Sequence, residues 1–255
     1  PSRGKTIGAE GRTVMISIRS FIFNILFFGI SSLFCIVMVL SLPLPRTILS
    51  HGFRYWMVLT MAILKAVVGL NIEVRGRENI PTGAALVVSK HQSAWDTGIF
   101  FMLLDDPSYV LKKQLLNIPF YGWMLRKGEM VAIDRDGGAS ALKQMVRDSR
   151  AIIDKGRPLV IFPEGTRSAP GDKLPYHPGV AAIYKQTGVP VVPVALNSGL
   201  FWGRRSFAKK PGTIIIEFLP AIDQGLDRKS FMAALETRIE GATNLLLAEA
   251  AKSQP

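Results

Sequence analysis

Residues Ala84–Leu104 read AALVVSKHQSAWDTGIFFMLL. An apolar, valine-rich run (Ala84–Val88) passes through a polar turn into a helical pattern (Ala94–Leu104). A short apolar run of about four to eight residues bounded by turn signals reads as a buried strand. Strand, turn and helix in that order form the repeating unit of α/β folds. The same alternation continues in both directions. Further strands are expected at Ile72–Val74, Tyr109–Leu111, Val131–Ile133, Leu159–Phe162, Val191–Leu196 and Thr213–Phe218. Further helices are expected at Phe120–Lys127, Ala139–Lys155, Val180–Gln186 and Lys229–Ala251. The pattern predicts an α/β domain with a mixed, largely parallel sheet flanked by helices, without internal repeats.

Before Asn71 the character changes. Phe21–Leu42 contains no charged residue and has the roughly 20-residue length of a bilayer-crossing helix. No small-residue cleavage site follows; Pro43-Leu44-Pro45-Arg46 does, which weighs against a signal peptide. A second apolar run, Tyr55–Leu70, is shorter and carries Lys65, as suits a helix at the interface or one packed on the globular domain. Residues 1–14 show no apolar periodicity and are expected to be flexible. The expected division is a flexible segment 1–14, a two-helix membrane anchor 15–70 and an α/β catalytic domain 71–255. Because Arg3, Lys5, Arg12 and Arg19 precede the first run, the positive-inside tendency keeps that end cytoplasmic. A domain using cytoplasmic substrates must face the same side. Two full crossings satisfy both, and so does a hairpin sunk in one leaflet; Lys65 at mid-bilayer would cost ~3 kcal/mol, which favours the hairpin, with a turn near Ser41–Thr47 within or beneath the membrane.

The formal net charge of +12 and the pI near 10.0 point to an anionic partner: nucleic acid, anionic lipid, a phosphorylated substrate or an acidic carrier. The basic residues are scattered and no nucleic-acid motif occurs, which disfavours the first. Arg204, Arg205, Lys209 and Lys210 form a candidate basic patch. A single cysteine, Cys35, excludes an intrachain disulfide. No phosphate loop, dinucleotide fingerprint or serine-hydrolase elbow is present, and three dispersed histidines do not make a zinc site.

Three constellations could carry chemistry. His91 closes one strand and Asp96 stands five residues on, in the first turn of the next helix. An aspartate so placed can fix the histidine tautomer and leave the other ring nitrogen as a base. From spacing alone, a capping aspartate beside an exposed histidine explains the pair at least as well. Phe162-Pro163-Glu164-Gly165-Thr166-Arg167-Ser168 follows another strand at its carboxyl end, where α/β sheets place ligands. Gly165 permits close backbone approach and Arg167 offers a planar fork for phosphate; an ordinary turn with a surface Glu–Arg pair is the bland reading. Lys112 and Lys113 end a third strand, and Arg135 follows a fourth. If these strands are neighbours, their cations converge on one crevice.

The segments together resemble the glycerolipid acyltransferases. His91-Gln92-Ser93-Ala94-Trp95-Asp96 resembles that family's H-x4-D block. Lys112-Lys113-Gln114-Leu115 with Ile118-Pro119-Phe120-Tyr121-Gly122-Trp123 and Ile133-Asp134-Arg135 resembles the second, Phe162–Ser168 the third and Val192-Pro193-Val194-Ala195 the fourth. All four occur in order over roughly residues 70 to 220. Gln114 departs from the acidic residue common at its position. The resemblance implies transfer of a fatty-acyl group from acyl-CoA or acyl-carrier protein to the sn-2 hydroxyl of lysophosphatidate, giving phosphatidate, without an acyl-enzyme. His91 is then the general base and Asp96 its orienting partner. Arg167 and Lys112, with Arg135 second to them, hold the acceptor phosphate, and Glu164, Gly165 and Thr166 shape the acceptor site. No metal or bound cofactor is required. Backbone amides near Ala94 are the expected oxyanion donors. The implied partners are membrane lipids and the two substrates, with the chain at the cytoplasmic face of the inner membrane. Rival readings are an acyltransferase for glycerol 3-phosphate, a lyso-ornithine lipid or another lysophospholipid, and a non-catalytic phospholipid-binding membrane protein.

Overall fold

The computed structural model describes residues 3–135 and 137–252. Its centre is a seven-stranded sheet formed by β1 (Leu70–Arg75), β2 (Leu86–Ser89), β3 (Ser108–Lys112), β4 (Val131–Ile133), β5 (Leu159–Ile161), β6 (Val191–Leu196) and β7 (Gly212–Phe218). The order is β1-β7-β6-β2-β5-β3-β4. Every pairing is parallel except β6 with β7, where Val194 stands opposite Phe218. The mixed, largely parallel sheet is thus the one the sequence pattern implies. Strands β2, β5 and β6 are buried along their whole length, as strands covered on both faces must be, and their Val/Ile/Leu content follows from that. Pro193 is tolerated in central β6 because it lies just past the last Val194–Phe218 register pair, where its missing N–H removes no β7 rung.

One face of the sheet carries α3 (Trp95–Leu103) together with α1 (Arg3–Leu40) and α2 (Arg46–Ile63); the other carries α5 (Gly138–Ile153), α6 (Gly179–Thr187) and α7 (Arg228–Lys252). The short α4 (Tyr121–Lys127) packs against the first two helices. Phe23, Met57, Trp95 and Val87 meet in the first core, and Leu86, Met145, Tyr184 and Phe231 in the second.

From residue 3 onward, the segment expected to be flexible continues α1 instead; Pro1 and Ser2 lie outside the described residues. No proline interrupts the chain there, and extending an existing helix is far easier than nucleating one. The most apolar window of Gly11–Leu40 has a mean hydropathy of 2.5 and is only 11% buried, so this helix is long and apolar enough to cross a membrane. Its docking says more. Midway along it, Ser20 accepts from the amide of Lys209 (2.9 Å) and Asn24 donates to the carbonyl of Phe207 (3.3 Å). Near its C-terminal end, Met38 packs with Leu49, Phe53 and Met124. Ser20 and Met38 are roughly 27 Å apart along the helix, so the second half of α1 lies along the domain, while residues 11–19 are largely exposed. The turn that follows is tied down as well: Arg46 pairs with Asp106 and, at 3.7 Å, with Glu129.

Candidate active site

The carboxyl ends of β2, β3, β4 and β5 all open toward one side, because these strands are mutually parallel. His91 leaves the end of β2, and Asp96 sits in the first turn of α3. His91 Nδ1 lies 3.0 Å from Asp96 Oδ2. The same carboxylate oxygen accepts from the amides of Gln92 (2.7 Å) and Ser93 (2.8 Å), while Oδ1 accepts from the Ser198 hydroxyl at 2.6 Å. Asp96 is fully buried, and three donors besides the imidazole compensate the water it gives up. With Nδ1 engaged by a carboxylate, the neutral ring carries its proton there and Nε2 is the free base. The Phe162 ring stacks on the imidazole at 4.0 Å and 20°, fixing its plane.

Behind the histidine lies a second charged cluster. The Lys90 ammonium, 1% exposed, reaches Glu164 Oε1 at 2.7 Å, Glu240 at 2.9 and 3.0 Å, and the carbonyl of Asp172 at 3.1 Å. Tyr176 donates to Glu240 (2.8 Å). Glu164 Oε2 accepts weakly from the His91 amide, and the Ser168 amide donates to the His91 carbonyl (2.8 Å). Burial pushes the Glu164 carboxyl above its ordinary range, against the pull of Lys90.

A cavity of about 440 Å³ opens in front of His91, within the ~300–1,000 Å³ usual for small-molecule sites. Lys112, Arg135, Gly165 and Arg167 line it together with His91. The expected convergence of three strand-end cations is therefore present. None of the three pairs with a carboxylate among the described residues, whereas adjacent Lys113 is spent on Asp134 at 3.5 Å. The rest of the wall is mostly apolar, and the N-terminal hairpin contributes Phe27, Phe34, Phe53 and Trp56 to it. Gly165 has φ +65°, and a Cβ there would come within 2.9 Å of the His177 ring; its amide closes the turn onto Phe162 at 3.0 Å.

Several expectations need correction. The Glu164 side chain turns away from the cavity toward Lys90, and Thr166 is exposed outside the lining. The amides of Gln92, Ser93 and Trp95, near the expected oxyanion donors, are already occupied by Asp96 and Ser93. The 204–210 basic patch is broken, since Lys209 is buried over the Trp202 ring and capped by the Ser206 and Phe207 carbonyls. Lys90, Glu240 and Ser198, which the motif blocks do not single out, complete the two clusters. Only the position of Lys90 beside His91 hinted at its place.

A model of the acyltransferase family matches residues 71–197, a span that holds His91, Asp96, Lys112, Arg135 and Arg167. A 1-acyl-sn-glycerol-3-phosphate acyltransferase of Pseudomonas aeruginosa is 37% identical over 194 residues, 76% of each chain. This chain belongs to the acyltransferase family. A second 1-acyl-sn-glycerol-3-phosphate acyltransferase, from Limnanthes alba, is 31% identical over 192 residues, 74% of this chain and 67% of that one. In three dimensions, the crystal structure of the 1-acyl-sn-glycerophosphate acyltransferase PlsC from Thermotoga maritima superposes with a TM-score of 0.75 over 94% of this chain and 99% of that one. At 21% identity that likeness concerns the fold, the N-terminal helices included. The four motif blocks of this acyltransferase all fall within the matched family span.

Proposed function

We propose that the protein acylates the free sn-2 hydroxyl of lysophosphatidate, giving phosphatidate, with an acyl thioester of coenzyme A or of a carrier protein as donor. The observation that carries this reading is the His91–Asp96 pair facing a cavity that combines three cations, Lys112, Arg135 and Arg167, with an apolar wall. An acceptor with a phosphate and one acyl chain needs both kinds of surface. Arg167 and Lys112 bind the phosphate, with Arg135 beside them, and the aromatic wall takes acyl chain.

The lipid hydroxyl attacks the thioester carbonyl carbon while His91 Nε2 accepts its proton. The tetrahedral intermediate collapses, the carbon–sulfur bond breaks, and the imidazolium returns the proton to the departing thiolate. Asp96 stabilises the transient imidazolium and holds the tautomer. The attacking oxygen belongs to the substrate, so no acyl-enzyme forms. Glycerol 3-phosphate as acceptor would leave the apolar wall unused by its own atoms, and a lipid-binding protein without chemistry has no use for an oriented base.

The hairpin faces the membrane. Its outer side exposes Ile18, Phe21, Ile25, Phe28, Leu33 and Ile36, a contiguous apolar surface of a kind water-facing helices avoid. Since α1 from Ser20 onward is fastened along the domain, the hairpin lies in one leaflet, on the cytoplasmic side where thioester donors occur. The deciding experiment gives the purified protein lysophosphatidate and acyl-CoA in lipid vesicles and follows phosphatidate by mass spectrometry. Phosphatidate should appear, and should vanish for His91→Ala. Acylation of glycerol 3-phosphate alone would replace this acceptor with that one.

A further inference from the structure

The segment Ile118–Trp123, which opens α4, exposes four large apolar side chains out of six residues. Ile118 is 45% exposed, Phe120 54%, Tyr121 38% and Trp123 47%. Phe120 and Trp123 hold each other edge to face at 5.2 Å. The local backbone is strained to keep them outside: Phe120 adopts φ 63°, in the left-handed region that bulky residues avoid. Gly122 is obligatory beside it, because a Cβ would fall 2.1 Å from the Leu116 carbonyl oxygen. Such an arrangement persists only if the surroundings over-determine it. They do: Met124 and Leu125, on the inner face of α4, are buried, and Met124 packs on Met38, Leu49 and Phe53 of the hairpin.

The charge pattern adds a second observation. From Lys112 to Lys127 the chain carries no carboxylate, and Arg126 and Lys127, which do not line the cavity, directly follow the apolar cluster. Exposed aromatic and aliphatic side chains flanked by cations match the boundary between anionic headgroups and acyl chains. Position gives a third. Tyr121 and Leu115 line the catalytic cavity together with Phe28, which is 65% exposed on the outer side of α1. The segment is therefore continuous with the exposed hairpin surface and stands at the cavity mouth.

We propose that Ile118–Trp123 is a second membrane-inserting element, which seats Ile118, Phe120 and Trp123 in the interface of an anionic leaflet and so sets the cavity mouth at the depth of the acceptor lipid. This rests on the reading of the hairpin as the membrane face.

The test distinguishes the two. Cys35 is the sole cysteine, so Cys35→Ser in the full chain supplies a background for single-cysteine probes. Ile118→Cys reports the segment, Leu33→Cys the hairpin, and Lys185→Cys, an exposed position of α6 on the other face of the sheet, serves as control. Each is labelled with an environment-sensitive fluorophore and mixed with phosphatidylcholine–phosphatidylglycerol vesicles carrying shallow nitroxide lipids. Quenching at positions 118 and 33, with none at 185, is expected. Quenching at 33 without 118 overturns this proposal and leaves the hairpin reading standing; no quenching at either overturns both. In a second arm, Phe120→Ser with Trp123→Ser should raise the half-saturating mole fraction of acceptor in vesicles roughly tenfold. Turnover of a short-chain, water-soluble acceptor should stay unchanged. Equal losses with both acceptors would show that the segment serves folding or the cavity itself, and would overturn the proposal.

Discussion

Lys90 and His91 are consecutive residues at the same strand end, yet they live in different electrostatic worlds. The alternation of an extended chain sends their side chains to opposite sides. Lys90 points into a closed cluster where Glu164, Glu240 and the Asp172 carbonyl take up its donors. His91 has one nitrogen committed to Asp96 and the other facing a cavity. A buried charge whose partners are all protein is architecture; a buried polar atom whose remaining partner must come from outside is chemistry. The same contrast separates Lys112, facing the cavity without a carboxylate, from Lys113, paired with Asp134.

Mutating each side of this divide should break different properties. The largest effect is expected at His91. His91→Ala should lower turnover by ~10²–10⁴-fold, the usual worth of general-base help, with thermal unfolding nearly unchanged. Asp96→Asn should also be severe, since an amide favours the wrong tautomer. Retention of more than about a tenth of turnover by His91→Ala would remove the histidine from that role.

Lys90→Met should act on stability. It leaves two buried carboxylates without their counter-ion, a loss of ~3–5 kcal/mol for pairs of this kind, read as a lowered denaturation midpoint. Adding Glu164→Gln and Glu240→Gln should recover much of it, because neutral amides need no counter-ion. A stable Lys90→Met protein without turnover would erase the distinction between the two neighbours and bring Lys90 into catalysis.

The smallest effect sharpens the comparison. Arg167→Ala should raise the half-saturating level of the phosphorylated acceptor by roughly ten- to a hundredfold, as loss of a charged hydrogen bond worth ~1.5–3 kcal/mol implies, while the donor's value moves little. Arg167→Lys should recover part of this, lacking the planar fork. Equal change toward donor and acceptor would mean that Arg167 supports the loop rather than the ligand.

These contrasts also mark what a linear sequence can reveal. The seven strands were legible because β-branched runs between turn signals are local properties, and the same pattern places His91, Lys112, Arg135 and Arg167 after strand ends and Asp96 in the first turn of the helix that follows. The antiparallel placement of β7 was not legible, since pairing direction depends on the crossover path. Nor was the Lys90–Glu240 contact, which joins residues 150 positions apart. Glu164 was misjudged for a related reason: its motif places it at the site, but the side chain's direction is decided by a counter-ion elsewhere in the chain. Residues 3–14 lack periodicity, yet they follow the helix they adjoin.

The fastening of the hairpin, at Ser20 midway along α1 and at Arg46 at the start of α2, has a kinetic consequence. A catalytic domain on a loose tether would meet its acceptor as a solute, at a rate set by bulk concentration. With Ser20 locked to Lys209 and Arg46 to Asp106, a domain whose hairpin lies in the membrane as proposed cannot swing clear of that surface. On that reading its search for lipid is two-dimensional. Velocity should follow the acceptor's mole fraction among neighbouring lipids, and diluting the bilayer with inert lipid should slow the enzyme even when the total amount of acceptor is held constant.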